Sequence, residues 1–224
     1  MPMTAEQVEQ FRNDYREKCI SSRYSGWRHL SLTVSTTLLV IIGSLFALNE
    51  VQSLEWLTIP ATFLYANLTE YLGHKGPMHH KTRFLQLIFQ RHAVEHHAFF
   101  TEAITTFDNS KDFKAVLFPP IMLLFFFGGF ALPVGLLFYF LLSPNVAYLF
   151  VFTSAAYFLN YELLHFCYHL DESSWGSKLP FMSALRRHHT LHHDRRLMSK
   201  YNFNITYPIC DHLFGTYYRE GRGK

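Results

Sequence analysis

Between residues 30 and 168 this chain carries three long stretches almost free of charge, while the rest of it is strongly polar. That is the distribution of a membrane protein, and the lengths suit helices. The first stretch, 30–48, reads LSLTVSTTLLVIIGSLFAL. Its 19 residues rise about 28 Å as a helix, close to one hydrocarbon core. A weaker second span covers 53–73, with Glu55 and Glu70 near its ends and Trp56 placed for an interface. The third stretch, 115–142, has 28 residues and would be about 42 Å long if helical throughout. It reads either as one kinked span or as a re-entrant hairpin bent at Gly128-Gly129, with Pro119, Pro120 and Pro133 adding irregularity. The fourth span is 146–168.

Charge placement chooses between these topologies. Histidine-rich segments flank the third and fourth spans, and they share a face only if an even number of crossings separates them. A single third span satisfies this and a complete hairpin does not. The loops 49–52 and 143–145 then lie on the far side, and neither contains Lys or Arg. All 20 basic residues fall on the near side, which the positive-inside rule makes cytosolic. The expectation is an all-α, multi-pass integral membrane protein of about four spans, with a cytosolic histidine-rich helical cap and both termini cytosolic.

At 224 residues the chain suits one domain. Residues 1–29 read as a polar cytosolic segment with no cleavable signal, and 219–224 as a disordered tail. Net charge is +3 with no arginine-rich tract, which sets nucleic acid aside as a partner. Cys19, Cys167 and Cys210 form no CxxC pair, so neither a disulfide framework nor a zinc–thiolate site is indicated.

Histidine is the unusual residue, with 14 copies, 13 of them in 74–97 or 165–212. Four clusters stand out: His74, His79 and His80; His92, His96 and His97; His165 and His169; His188, His189, His192 and His193. His92 with His96, and His165 with His169, are i,i+4 pairs expected to share a helix face. His189, His192 and His193 are spaced so that at least two rings converge. Imidazole suits iron, zinc, copper or nickel, and ten or so rings exceed the need of one ion and fit two. A lone histidine is usually structural, but four clusters at ligand spacing on one face are not explained that way. His80, His188 and His212 have neighbours better placed to ligate, and His29 reads as interfacial. Glu70 and Glu162 precede His74 and His165 by four and three residues, and are candidates to accept the outer imidazole N–H and fix ring orientation. Asp194 and Asp211 read as more exposed, with a solvated surface the favoured account.

The order HxxxxH, HxxxHH, HxxxH and HxxHH resembles the fatty acid hydroxylase / sterol desaturase superfamily. The segment NFNITYPICDHLFGTYY, residues 202–218, is similar to that family's Asn-rich, strand-like ending. His212 departs from it, standing where a basic or aromatic residue is more usual; with His80, His188 and Asp211 it is a candidate outer partner of the site. The resemblance spans roughly 60–218. It implies a dinuclear centre ligated by His74, His79, His92, His96, His97, His165, His169, His189, His192 and His193. It implies two iron ions, with zinc able to fill the sites in isolated protein, and dioxygen as co-substrate. It implies hydroxylation of a fatty acyl or sterol-like lipid, with electrons from a separate b-type cytochrome or ferredoxin system. A bacterial inner membrane and an endoplasmic reticulum both suit this topology. A desaturase would use the same centre. A metal transporter would place ligands along the spans rather than outside them, and a zinc hydrolase would need neither oxygen nor electrons.

Overall fold

A computed structural model describes residues 3–219. Helices α1 (Ala5–Cys19), α2 (Gly26–Phe46), α3 (Thr58–Gly73), α4 (Gln86–Phe89), α5 (His97–Phe99), α6 (Phe113–Val116), α7 (Ile121–Leu123), α8 (Leu132–Leu141), α9 (Pro144–Tyr168), α10 (Met182–His192) and α11 (Ile209–Leu213) follow in order. Wide π-type segments extend α3 (His74–Met78), join α4 to α5 (Gln90–His96) and join α7 to α8 (Leu124–Ala131). There is no strand among the described residues, so the strand-like reading of 202–218 is corrected. The tail expected at 219–224 lies, except for Arg219, outside the described residues.

The chain divides into two compact units. One holds Trp27–Ala66 and Leu117–Leu163; the other holds, among the described residues, 3–26, Asn67–Val116 and 164–219.

The first of these is the apolar unit. Gly26–Phe46 and the run within Ser110–Leu141 are long and apolar enough to cross a membrane. The third stretch is broken at 117–120, where Pro119 and Pro120 interrupt the backbone ladder, and is helical without interruption from Ile121 to Leu141. Gly128-Gly129 falls inside the π-type segment and makes no hairpin. The second expected span is one 3-10 turn, Glu55–Leu57, followed by the 16-residue α3, and the fourth is the 25-residue α9. Leu39, Phe46, Leu124, Phe140 and Leu141 are each more than two-thirds exposed, an apolar surface that water would not favour. Hydroxyls bond back along their own helices, Thr37 to Thr33 O at 2.7 Å and Thr153 to Leu149 O at 2.8 Å. The loops 49–52 and 143–145, expected on one side, are tied together: Asn145 donates to Asn49 O at 2.8 Å and receives Asn49 N–H at 3.1 Å. His29, at the start of α2, is buried with Nε2 3.0 Å from Phe118 O. Glu162, expected beside an imidazole, accepts from Phe118 N at 3.3 Å.

The second unit carries the histidines. Here residues 1–29 are more than a polar segment. Thr4 and Gln7 form a capping box that starts α1. Val8, Arg12 and Tyr15, spaced by four and three, are its buried stripe. Tyr15 meets Phe99 edge-on at 5.4 Å, and Ile20, Phe100, Ala115 and Val116 complete that core. The C-terminal carbonyls of α9 are capped by Arg186, which donates to Tyr168 O at 3.0 Å and Cys167 O at 3.2 Å.

Candidate metal centre

The wide turns set the geometry of the histidines. In a π-type segment, residues five apart share a face, because the turn holds more residues than an α-helix. His74 and His79 straddle one such turn with Nε2 atoms 3.2 Å apart. His92 and His97 straddle another, also at 3.2 Å. The i,i+4 pairing expected for His92 with His96 is therefore corrected: the two rings go to different groups. At the end of the regular α9, His165 and His169, the residue that follows its last turn, do join one group, as i,i+4 spacing favours.

Two groups result. His74, His79, His92, His97 and His192 form the first, and His96, His165, His169 and His189 the second. Within each, one ligand atom per residue lies within 4.8 Å of every other, and all nine residues are buried. His193 borders both, with Nε2 2.9 Å from His189 Nε2 and its ring 4.5 Å from that of His97.

Backbone carbonyls aim the rings. His74 donates from Nδ1 to Phe203 O, His192 to Tyr201 O at 3.0 Å, His96 to Ala115 O at 2.9 Å, His169 to Thr105 O at 2.6 Å and His193 to Phe100 O at 2.7 Å. A neutral imidazole holding its proton on Nδ1 presents a bare lone pair at Nε2. Those lone pairs face other ring nitrogens at close range: 2.7 Å for His74 with His92, 2.9 Å for His79 with His192, 3.1 Å for His169 with His189 and 3.2 Å for His96 with His165. A metal–nitrogen bond of ~2.0–2.1 Å gives neighbouring ligands at right angles a separation of ~2.9 Å, so the spacing fits rings around a cation. His79, His97 and His189 also leave Nδ1 buried without a partner. No thiolate or carboxylate belongs to either group, and imidazole alone accepts several transition metals.

Burial keeps the rings neutral. It lowers the pKa of His79 to about 3 and of His193 to about 4, and pushes those of His74, His92, His96, His97, His169, His189 and His192 well below the ordinary value, with neighbouring rings adding to most of these shifts. In the metal-free chain the unfolded state therefore binds more protons below pH ~6.5, and stability falls as pH falls through that point. For His79 and His193 the loss at pH 5 is about 2 kcal/mol each. Thermal unfolding of chelator-stripped protein in detergent should shift steeply downward between pH 7.5 and pH 5; a flat profile would mean that the rings are not held neutral.

The carboxylates do not behave as expected. Asp211 is fully buried rather than solvated, and accepts Phe203 N at 2.9 Å, Asn204 N at 2.8 Å and Thr216 Oγ1 at 2.7 Å. Asp194 is buried too, paired with Arg196. Glu70 accepts Ile205 N, Thr206 N at 2.9 Å and Thr206 Oγ1 at 2.6 Å. Glu70 and Asp211 thus fasten the segment that carries the Tyr201 and Phe203 carbonyls. His188 lies outside both groups, with Nε2 3.1 Å from Asn204 O and 3.4 Å from Asp211 Oδ2. His80 is exposed and bonds to Lys75 O at 2.8 Å, and His212 is exposed and stacks on Tyr217 at 4.2 Å. Phe203 lies over the first group and Phe100 over the second, 6.1 Å from the His74 ring and 4.1 Å from the His169 ring. The carbonyl acceptors left no mark in the sequence, since every residue has one.

Helices apolar enough to cross a membrane, together with two buried all-histidine groups able to hold metal, define a class of membrane-associated helical protein. The model of the fatty acid hydroxylase family matches residues 59–216, and the chain belongs to that family. Its fold is similar to that of the hydroxylase domain visible in full-length Scs7p, at a TM-score of 0.62 and 21% identity, over 87% of this chain and 67% of that one. A search of curated proteins gives no match.

Proposed function

We propose that this chain is an oxygen-dependent lipid hydroxylase with two iron ions held by the ten histidines named from the sequence. The observation that carries the reading is the pair of adjacent, buried imidazole groups whose lone pairs converge. A bound iron pair would supply the redox chemistry by which one atom of dioxygen enters a lipid C–H bond and the other leaves as water, with two electrons and two protons consumed. The chain's own part is to hold the rings neutral and aimed, and to keep water out with Phe100 and Phe203. Electrons come from a separate b-type cytochrome or ferredoxin system. Helices α2, α3, the run from Ile121 to Leu141, and α9 serve as four spans, with both termini cytosolic. The Asn49–Asn145 tie supports a shared far side for the two short loops.

The test is metal content and product together. Protein purified in detergent from iron-supplemented cells should hold two metals per chain and add one oxygen atom to a lipid, only with oxygen and reductant. Loss of two hydrogens without added oxygen would make it a desaturase. Oxygen-independent lipid cleavage would make it a hydrolase, and a folded chain that binds no metal would overturn the reading.

A further inference from the structure

Helix α1 lies outside the residues matched by the family, yet it reaches the second histidine group by two routes. In the first, the buried Arg12 donates from Nη2 to Thr106 O at 2.9 Å and stands 4.6 Å over the Phe99 ring. Arg16 donates to both oxygens of Asp112 at 2.9 and 3.0 Å, and also to Asp108. Asp112 in turn accepts the backbone N–H groups of Asp108 at 2.9 Å and Asn109 at 3.2 Å. This closes the loop 105–112 onto α1. Thr105, next to the Thr106 that Arg12 holds, supplies the carbonyl that takes the Nδ1 proton of His169.

The second route runs through Tyr15. Its hydroxyl accepts from Arg91 Nη1 at 2.7 Å, and Arg91 also donates to Lys114 O. The next residue, Ala115, supplies the carbonyl that orients His96. The Thr105 and Ala115 carbonyls thus each sit beside a carbonyl held by an arginine of α1 or by one bonded to α1. The first group is aimed from elsewhere, by Tyr201 and Phe203. No described hydrogen bond runs from α1 to residues 201–204.

We propose that α1 is a positioning element for the second metal site: through Arg12, Arg16 and Tyr15 it fixes the Thr105 and Ala115 carbonyls, so that the second site depends on this helix and the first does not. The proposal rests on the two-metal reading above. An imidazole whose Nδ1 partner drifts can rotate away from the ion, and loss of such outer partners typically weakens metal binding ~10–100-fold.

The experiment uses the full chain in detergent, stripped by chelator and titrated with cobalt(II), whose absorption reports each bound equivalent. His97→Ala and His165→Ala assign the equivalents to the first and second groups. Arg12→Met should weaken the second equivalent ~10-fold or more and leave the first unchanged. Tyr15→Phe, which removes only a hydroxyl and keeps the packed ring, should act in the same direction with a smaller effect, and it decides the matter if Arg12→Met fails to fold. Unchanged affinities in both variants, or equal weakening of both equivalents as general loosening gives, would overturn the proposal. A wild-type chain that binds no cobalt would overturn the two-metal reading itself and this proposal with it.

Discussion

His92→Ala/His192→Ala is expected to leave one metal per chain and no detectable lipid oxidation. The first group would fall from five rings to three. The two lost nitrogens are the closest ring-nitrogen neighbours of two of the three rings that remain, His92 at 2.7 Å from His74 and His192 at 2.9 Å from His79. Outer partners of metal ligands typically contribute ~10–100-fold in affinity, and removing two ligands outright exceeds that range. The second group keeps its Thr105 and Ala115 acceptors and should keep its ion. Elemental analysis of purified protein, with helix content and thermal unfolding as controls for folding, checks the first half; lipid mass spectrometry checks the second. Two metals retained in a folded variant would show that these rings are not ligands. Two metals lost would show that the groups load as one unit.

Much of this arrangement was legible in the residues, and the failures have physical causes. Charge-free stretches marked the apolar helices because length and composition alone decide whether a helix suits hydrocarbon. The prolines at 119 and 120 marked a break for the same kind of local reason. The histidine clusters were legible as clusters, but their division into groups was not. Helical spacing pairs His92 with His96, and it is the wide turn at Gln90–His96 that pairs His92 with His97 instead. Nothing in the local sequence announces such a turn, since tertiary contacts select it. Burial of Asp211 was hidden for another reason. A carboxylate near the end of a polar segment is normally solvated, and here two backbone N–H groups and a hydroxyl brought round by the turn at residues 203–216 replace water. The role of α1 was missed although its capping box and its buried stripe at residues 8, 12 and 15 were present, because a short polar segment before an apolar span invites no reading as a core helix.

Asp211→Ala should destabilise the protein and empty the first metal site ahead of the second. The carboxylate is inaccessible to solvent and receives Phe203 N, Asn204 N and Thr216 Oγ1, each within 2.9 Å. Alanine leaves two backbone donors buried and unsatisfied, at ~1–3 kcal/mol each, so a loss of about 2–6 kcal/mol is expected. The functional effect follows from which residues those donors belong to. Phe203 N is on the same residue as the carbonyl that aims His74, and the His192 acceptor is two residues earlier at Tyr201. Freed of Asp211, that segment can shift, and both rings lose the bond that turns Nε2 inward. Asp211→Asn separates the two effects. Its side chain keeps one accepting oxygen in nearly the same volume, so it should fold more stably than the alanine variant. Its amide nitrogen, however, meets either Phe203 N–H or Asn204 N–H as donor against donor, and the displaced segment should lower first-site affinity ~10–100-fold. Denaturation curves for both variants and cobalt titration of Asp211→Asn measure the two quantities independently. If Asp211→Asn weakened the second site as much as the first, the carbonyls at 201 and 203 would not be the means by which the C-terminal segment acts.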